Sequence, residues 1–218
     1  MKASDSLSTD RTRIRRVPKR GHYDRATLDA ILDAHILCHI AFVHQGSPAI
    51  IPTFYAREGD RILLHGSSKS RLMMALRDGA ELSLAVTHLD AIVAARSVFH
   101  HSANYRSAVI YGRAARIESQ AERRQALEVL TNRLLPGRWE EARLPSAKEM
   151  KATMVLAVPI IEGAAKIRTG PPGDEAADYA LDIWAGLIPL QITAGEPIPD
   201  PKLKPGVERP PSVENYTF

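Results

Sequence analysis

The stretch over residues 50–76 constrains the fold of this chain more than any other. An apolar and aromatic run over residues 50–57 is followed by the turn residues Gly59 and Asp60, and then by a second apolar run over residues 61–66. A Gly-Asp turn between two such runs predicts an antiparallel hairpin. Leu72, Met73 and Leu76 follow at helical spacing, so the hairpin is predicted to lead directly into a helix.

A polar and basic segment separates the hairpin from this helix. It contains Ser67, Lys69, Ser70 and Arg71 at the point where the helix is predicted to begin. Unpaired backbone N–H groups at a helix start favour anions, and these side chains add hydroxyl donors and positive charge. The segment therefore fits a phosphate group, although a serine N-cap followed by two solvated cations gives the same pattern.

The rest of the chain predicts further strands and a few helices. Strand-like runs occur around residues 36–43, 82–88, 91–98, 108–117, 153–158, 160–167 and 187–193. Helices are predicted after Asp24, over residues 121–135 with Leu127, Leu130 and Leu134 on one face, and from Ser146, where Glu149 completes a capping box. Many antiparallel strands joined by turns favour a mainly β fold, a closed or split β-barrel with interposed helices.

Charge and composition suggest three parts and exclude several functions. We predict a flexible basic arm over residues 1–20, a barrel domain over 21–195 and a proline-rich tail over 196–218. Six of the 29 basic residues lie between Arg11 and Arg20, and the other 23 face 25 acidic residues, so the body of the protein is not basic. No nucleic-acid-binding motif accompanies the arm, and no nucleic-acid partner is predicted.

No apolar run approaches the roughly 20 residues that cross a bilayer, no apolar segment follows the N-terminal charges, and Cys38 is the one cysteine. We therefore expect no membrane partner and a cytoplasmic location.

Histidines and a second basic pair are the other candidates for chemistry. His65 ends the second hairpin strand, where its imidazole either meets a ligand or is hydrogen-bonded within the fold. The adjacent His100 and His101 would point to opposite faces of an extended strand, so no metal site is predicted.

Lys166 and Arg168 alternate along a strand and therefore share a face. Their counter-ions are either a ligand phosphate or carboxylate, or the nearby Asp174 and Asp178. Trp184 either stacks on a flat ring or fills the core.

Six segments taken in order resemble the pyridoxamine 5'-phosphate oxidase-like split barrels, in the flavin-nucleotide-binding branch that includes the nitroimidazole-resistance proteins. These segments are residues 52–55, residues 64–67 with 70–71, residues 100–107, residues 136–139, residues 166 and 168 with 170–172, and residues 184–186. The resemblance implies an antiparallel FMN-binding split barrel that forms a homodimer, with FMN lying between the two barrels.

The resemblance also implies a set of cofactor-binding residues. The phosphate would be held by Ser67, Lys69, Ser70 and Arg71, and the isoalloxazine edge would be passed by Ile51, Pro52, Thr53 and Phe54. The rest of the site would comprise Tyr105, Arg106 and Ser107, from this subunit or its partner, with Lys166, Arg168 and Trp184 on the other side. His65 occupies a position at which some relatives use a histidine for cofactor or substrate chemistry.

The activity implied is that of an FMN-dependent oxidoreductase acting on a small molecule, with NAD(P)H as a candidate electron donor. No catalytic side chain is assigned, because the flavin carries the chemistry and the protein orients it. The alternative is a flavin- or haem-binding protein that stores or senses its ligand without turnover, since some split barrels hold haem. The tail lacks the Arg-x-His type of ending found in true pyridoxamine phosphate oxidases, so vitamin B6 synthesis is not expected.

Overall fold

The computed structural model describes residues 6–218, so residues 1–5 of the predicted arm lie outside the described part of the chain. The strands are β1 (Gly21–His22), β2 (Leu37–His44), β3 (Ser47–Phe54), β4 (Ala56–Glu58), β5 (Arg61–Ser67), β6 (Glu81–Ala94), β7 (Ser102–Arg113), β8 (Ala115–Arg116), β9 (Thr153–Pro159), β10 (Gly163–Arg168) and β11 (Gly186–Pro189). The helices are α1 (Arg25–Asp33), α2 (Arg71–Arg77), α3 (Gln120–Leu134), α4 (Arg138–Glu141), α5 (Ala147–Ala152) and α6 (Pro211–Glu214).

The strands form two antiparallel sheets around one apolar core. The larger sheet has the order β1-β10-β7-β6-β2-β3, with β11 also paired to β6, and the smaller sheet has the order β4-β5-β9-β8. Core side chains such as Ile40 and Leu84 from the larger sheet meet Leu64 from the smaller one. Leu63 points to the other side of the smaller sheet, where Ala126 and Leu130 of α3 cover it. The predicted fold, a mainly β split barrel with interposed helices, is confirmed.

The predicted first hairpin strand is divided between the two sheets. β3 ends at Phe54 in the larger sheet, and β4 begins at Ala56 in the smaller one. Between them Tyr55 turns into the core, where its hydroxyl donates to the carbonyl oxygen of Leu32 at 2.5 Å. The chain therefore changes sheets at Tyr55, which is how the open barrel is formed.

Two local predictions differ from the structure. The separate runs predicted around residues 82–88 and 91–98 form one strand, β6, with a bulge between Leu89 and Ala91. On α3 the buried residues are Ala126 and Leu130, whereas Leu134, predicted for the buried face, is 40% exposed. Leu127, also predicted, packs against the same cluster as Leu130, so the leucine spacing identified the contact face except at the last turn of the helix.

Parts of both predicted terminal segments contact the barrel. The backbone N–H of Leu7 donates to the carbonyl oxygen of Tyr23 at 2.9 Å, and Arg11 pairs with Glu81 at 2.6 Å. At the other end, the backbone N–H of Ser212 donates to Glu141 Oε1 at 3.1 Å. Among residues 6–218, no helix has the length and apolar character that crossing a bilayer requires.

Candidate functional site

Two groups of predicted site residues lie on strands far apart in the larger sheet, whereas His65 and Ser67 lie on β5 of the smaller one. β3, which carries Ile51 to Phe54, is one edge strand, and β10, which carries Lys166 and Arg168, lies four strands away in the hydrogen-bonded order. At the usual spacing between neighbouring strands, this separation is about 19 Å along the sheet. Within one chain, the two groups therefore form separate surfaces.

The predicted phosphate segment is partly a helix cap and partly free. The hydroxyl of Ser70 accepts from the backbone N–H of Met73 at 3.4 Å and caps α2, and the hydroxyl of Ser67 accepts from the backbone N–H of Lys69 at 3.3 Å. Lys69 and Arg71 are exposed, and neither side chain has a hydrogen bond or ion pair with any residue of 6–218. The cap and the two exposed cations match the structural alternative, and the same two cations are also available to an anion, so both interpretations of the segment stay open.

β3 presents an open backbone edge. It pairs with β2 on one side only, so alternate N–H and C=O groups on its other side have no strand partner. The side chains of Pro52 and Phe54 are exposed, and those of Ile51 and Thr53 are half-buried. The strand can therefore offer backbone hydrogen bonds and an apolar side-chain surface to a flat polar ring.

His65 lies in a pocket of about 310 Å³ between β5 and the helices. Its neighbours include Leu127, Trp139, Leu144 and Pro145. The imidazole has no hydrogen-bond partner among the described residues, which removes the structural alternative for this side chain. The side chain of His65 is exposed at the pocket mouth, and partial desolvation by the pocket walls lowers its pKa. The ring is therefore neutral near pH 7 and keeps a free nitrogen lone pair.

At the other end of the sheet, four predicted residues share one face. Tyr105 pairs directly with Arg168, and Ser107 with Lys166. Ile167 packs against the core cluster, so its neighbours Lys166 and Arg168 lie on the other face of β10. This agrees with the expectation that the two cations project together.

The counter-ion of Arg168 is not a carboxylate of this region. Arg168 is only 9% exposed, and its guanidinium donates to the side-chain oxygen of Asn104 and to the carbonyl oxygens of Gly170 and Pro171, both at 3.4 Å. Asp174, which the sequence offered as a possible counter-ion of Arg168, instead accepts a hydrogen bond from the backbone N–H of Arg96 at 2.9 Å. Burial, and then the nearby charge of Arg20, lower the pKa of Arg168.

Arg106 and Trp184 lie apart from these groups. Arg106 points to the opposite face of β7 from its neighbours, and its guanidinium pairs with Asp90 at 2.8 Å. This hydrogen bond raises the pKa of Arg106. Trp184 is 68% exposed, so it does not fill the core, and its ring lies over Gly186, where an added Cβ would come within 3.0 Å of it.

Sequence reasoning missed a second cavity, of about 670 Å³, lined partly by His35, His88 and Arg106. His35 Nδ1 accepts from the backbone N–H groups of Ile36 and Leu37, both at 3.0 Å, and the rings of His35 and His88 are 5.1 Å apart. These histidines come from distant parts of the sequence and belong to no motif, so no pattern could have joined them.

Comparisons with known proteins agree with the fold. The family described as pyridoxamine 5'-phosphate oxidase matches residues 24–167. The flavocytochrome Anf3 from Azotobacter vinelandii is 40% identical, with 98% of this chain and 99% of that chain covered and a TM-score of 0.91. The FAD and Heme binding protein from Mycobacterium smegmatis is 38% identical, with 91% and 97% covered and a TM-score of 0.87.

A more distant structure shares the fold alone. This putative 5-nitroimidazole antibiotic resistance protein from Bacteroides thetaiotaomicron is 17% identical, with 67% of this chain and 86% of that chain covered and a TM-score of 0.57. No curated protein sequence gives a significant match.

Proposed function

The chain belongs to the pyridoxamine 5'-phosphate oxidase family, and on this premise we propose that it is a redox protein that binds both a flavin and haem. The observation that carries the proposal is the segment from His65 to Arg71, in which an unpartnered imidazole is followed by two unpaired cations. Relatives 40% and 38% identical over nearly the whole chain are described as a flavocytochrome and as a FAD and haem binding protein. Both descriptions call for a flavin and a haem.

The residues of the predicted phosphate segment fit a flavin. Lys69 and Arg71 would hold a phosphate, because both charges are exposed and unpaired in residues 6–218. The open edge of β3 would meet the polar edge of the ring system. When bound, the flavin supplies hydride or electron transfer, and the chain supplies binding, orientation and electrostatics. The sequence predicts FMN, whereas the description of the Mycobacterium smegmatis relative favours FAD.

His65 is the histidine best suited to bind haem iron. A neutral imidazole with a free lone pair is the usual protein ligand of haem iron, and the pocket supplies apolar walls from Leu127, Leu144 and Trp139. His35 is less suited, since its Nδ1 already accepts two backbone hydrogen bonds. His88 likewise uses Nε2 in a 3.0 Å contact with the carbonyl oxygen of Ile31.

We also propose that the protein is a homodimer. The two groups of predicted flavin residues lie about 19 Å apart along one sheet, so a second copy is the simplest way to bring β3 of one subunit to β7 and β10 of another. Large apolar side chains are exposed on the strands of this sheet, among them Ile50, Phe54, Leu89 and Ile188. Such patches are typical of protein interfaces.

The test is an absorption spectrum of the purified protein, followed by identification of the released flavin by chromatography. We expect flavin bands and a Soret band together, and reduction of the flavin by NADH or NADPH under anaerobic conditions would support oxidoreductase activity over storage. His65→Ala should lose the Soret band and keep the flavin, while the control His44→Ala should keep both. Light scattering should give twice the chain mass. A protein that takes up neither cofactor on reconstitution would refute the proposal.

A further inference from the structure

We propose that Arg20 and Arg168 form a second anion site, which binds a phosphate group of a nucleotide at the β1–β10 edge of the larger sheet. This edge lies at the opposite end of the sheet from β3 and the proposed flavin ring edge. Arg20 was assigned no role by the sequence, and Arg168 was assigned only a general position near a cofactor.

The first observation is a buried positive charge without a negative partner. Arg168 is 9% exposed, and all its hydrogen-bond acceptors in residues 6–218 are neutral oxygens of Asn104, Gly170 and Pro171. Removing a charge from water is costly unless an opposite charge compensates for it. The carboxylates nearest along the chain, Glu162 and Asp174, both have other partners. Glu162 pairs with Arg11, and Asp174 is held by Arg96 and by the backbone N–H of Ser97. The arginine is therefore prepared for an anion that the described residues do not supply.

The second observation is a like charge beside it. Arg20 ends a single 3₁₀ turn, Pro18–Arg20, directly before β1, whose Gly21 pairs with Lys166 of β10. Its side chain is half-buried and has no hydrogen bond or ion pair in residues 6–218. Because Gly21 lies opposite Lys166, the backbone of Arg20 lies beside β10 near Arg168. Like charges on neighbouring segments repel each other, so an anion bound by both side chains would stabilise both. Burial and the charge of Arg20 both lower the pKa of Arg168.

The surroundings make the site more positive and fix its geometry. Lys166 lies on the same face of β10 as Arg168. The nearby arm carries four cations without ion pairs among the described residues: Arg13, Arg15, Arg16 and Lys19. Asn104 donates to Gly170 at 3.1 Å while accepting from Arg168. The amide thus holds the guanidinium in one orientation.

This chemistry favours a phosphate ester. A guanidinium presents planar, paired N–H donors that match phosphate oxygens. Two guanidinium groups suit a doubly charged phosphate better than a singly charged carboxylate. The phosphate has two sources in a flavoprotein: the adenosine half of FAD, or NADH or NADPH. The assignment to either source rests on the proposed function, whereas the anion site itself does not.

The first experiment measures binding of inorganic pyrophosphate to the purified protein by calorimetry. Arg20→Met should weaken binding about tenfold or more, because a charge-assisted contact is lost. The control Arg124→Met makes the same charge change at an exposed side chain of α3 that has no partner among the described residues, and it should leave the affinity within about twofold. Arg168→Lys keeps the buried charge, loses the planar fork, and should also weaken binding. Equal affinities in all four proteins would overturn the proposal.

The second experiment identifies the source by titrating wild type and Arg20→Met with FMN, FAD and NADPH. A selective loss of FAD affinity assigns the site to the second phosphate of FAD, and a selective loss of NADPH affinity assigns it to the electron donor. Unchanged affinity for all three nucleotides would overturn the nucleotide assignment. A protein that binds pyrophosphate through Arg20 but takes up no flavin would refute the proposed function and leave the anion site intact.

Discussion

Replacing Arg71 with methionine should weaken flavin binding without weakening the fold. Arg71 is the first residue of α2, is exposed, and has no ion pair in residues 6–218. Ser70 would still cap the helix through its bond to the N–H of Met73. Loss of an exposed, unpartnered side chain usually changes the free energy of unfolding by less than about 0.5 kcal/mol.

The expected loss of affinity follows from the phosphate contact. A hydrogen bond to a charged group is worth about 1.5–3 kcal/mol, which corresponds to a roughly 10- to 150-fold increase in Kd. Because Arg71 is exposed, water and salt screen its charge, and we expect the lower end, about tenfold. Raising the ionic strength should weaken flavin binding by wild type more than by the variant.

The assay is titration of flavin-free protein with FMN and FAD, followed by flavin fluorescence, with urea unfolding measured in parallel. The control is Arg124→Met, which removes the same charge from an exposed position on α3. A Kd for Arg71→Met within twofold of wild type would refute the phosphate assignment. A large drop in unfolding free energy would instead refute the view that Arg71 has no structural role.

Three further predictions concern the fold. Gly163→Ala should destabilise the protein by about 1–3 kcal/mol, because the added Cβ would lie 2.8 Å from both Ile110 Cδ1 and the Val109 carbonyl oxygen. The control in urea unfolding is Gly173→Ala, whose added Cβ would have no atom within 4 Å. Equal unfolding midpoints for the two variants would contradict the packing argument. Burial lowers the pKa of His35, so His35 binds a proton less readily in the folded state than in the unfolded state. The stability contribution of His35 should be full above about pH 6.5 and fall below it. In unfolding measured from about pH 8 to about pH 5.5, His35→Gln should flatten this dependence. Burial raises the pKa of Cys38 to about 12, so the thiol should react with a thiol reagent only after denaturation, and rapid labelling of the native protein would show that the site opens.

The sequence was sufficient where neighbouring residues determine the structure. The capping box at Ser146 and Glu149 is present, since both partners lie within one turn of helix. Leu72, Met73 and Leu76 are buried on one face of α2, because a short amphipathic helix has one apolar side to pack. The order of the segments also identified the family.

What the tertiary structure decided is which distant side chains meet. The bulge between Leu89 and Ala91 inserts Asp90 into β6 without an opposing residue on β7, and Asp90 then pairs with Arg106. A single extra residue changes which side chains of β6 share a face, so alternation read from the sequence could not predict that Asp90 would meet Arg106. Likewise, the proximity of Arg20 to Arg168 depends on the pairing of β1 with β10. The sequence determines the elements and their apolar faces, because those depend on local spacing. The pairing of Asp90 with Arg106 and the approach of Arg20 to Arg168 depend on strand order and register, which are set only when the two sheets close over a common core.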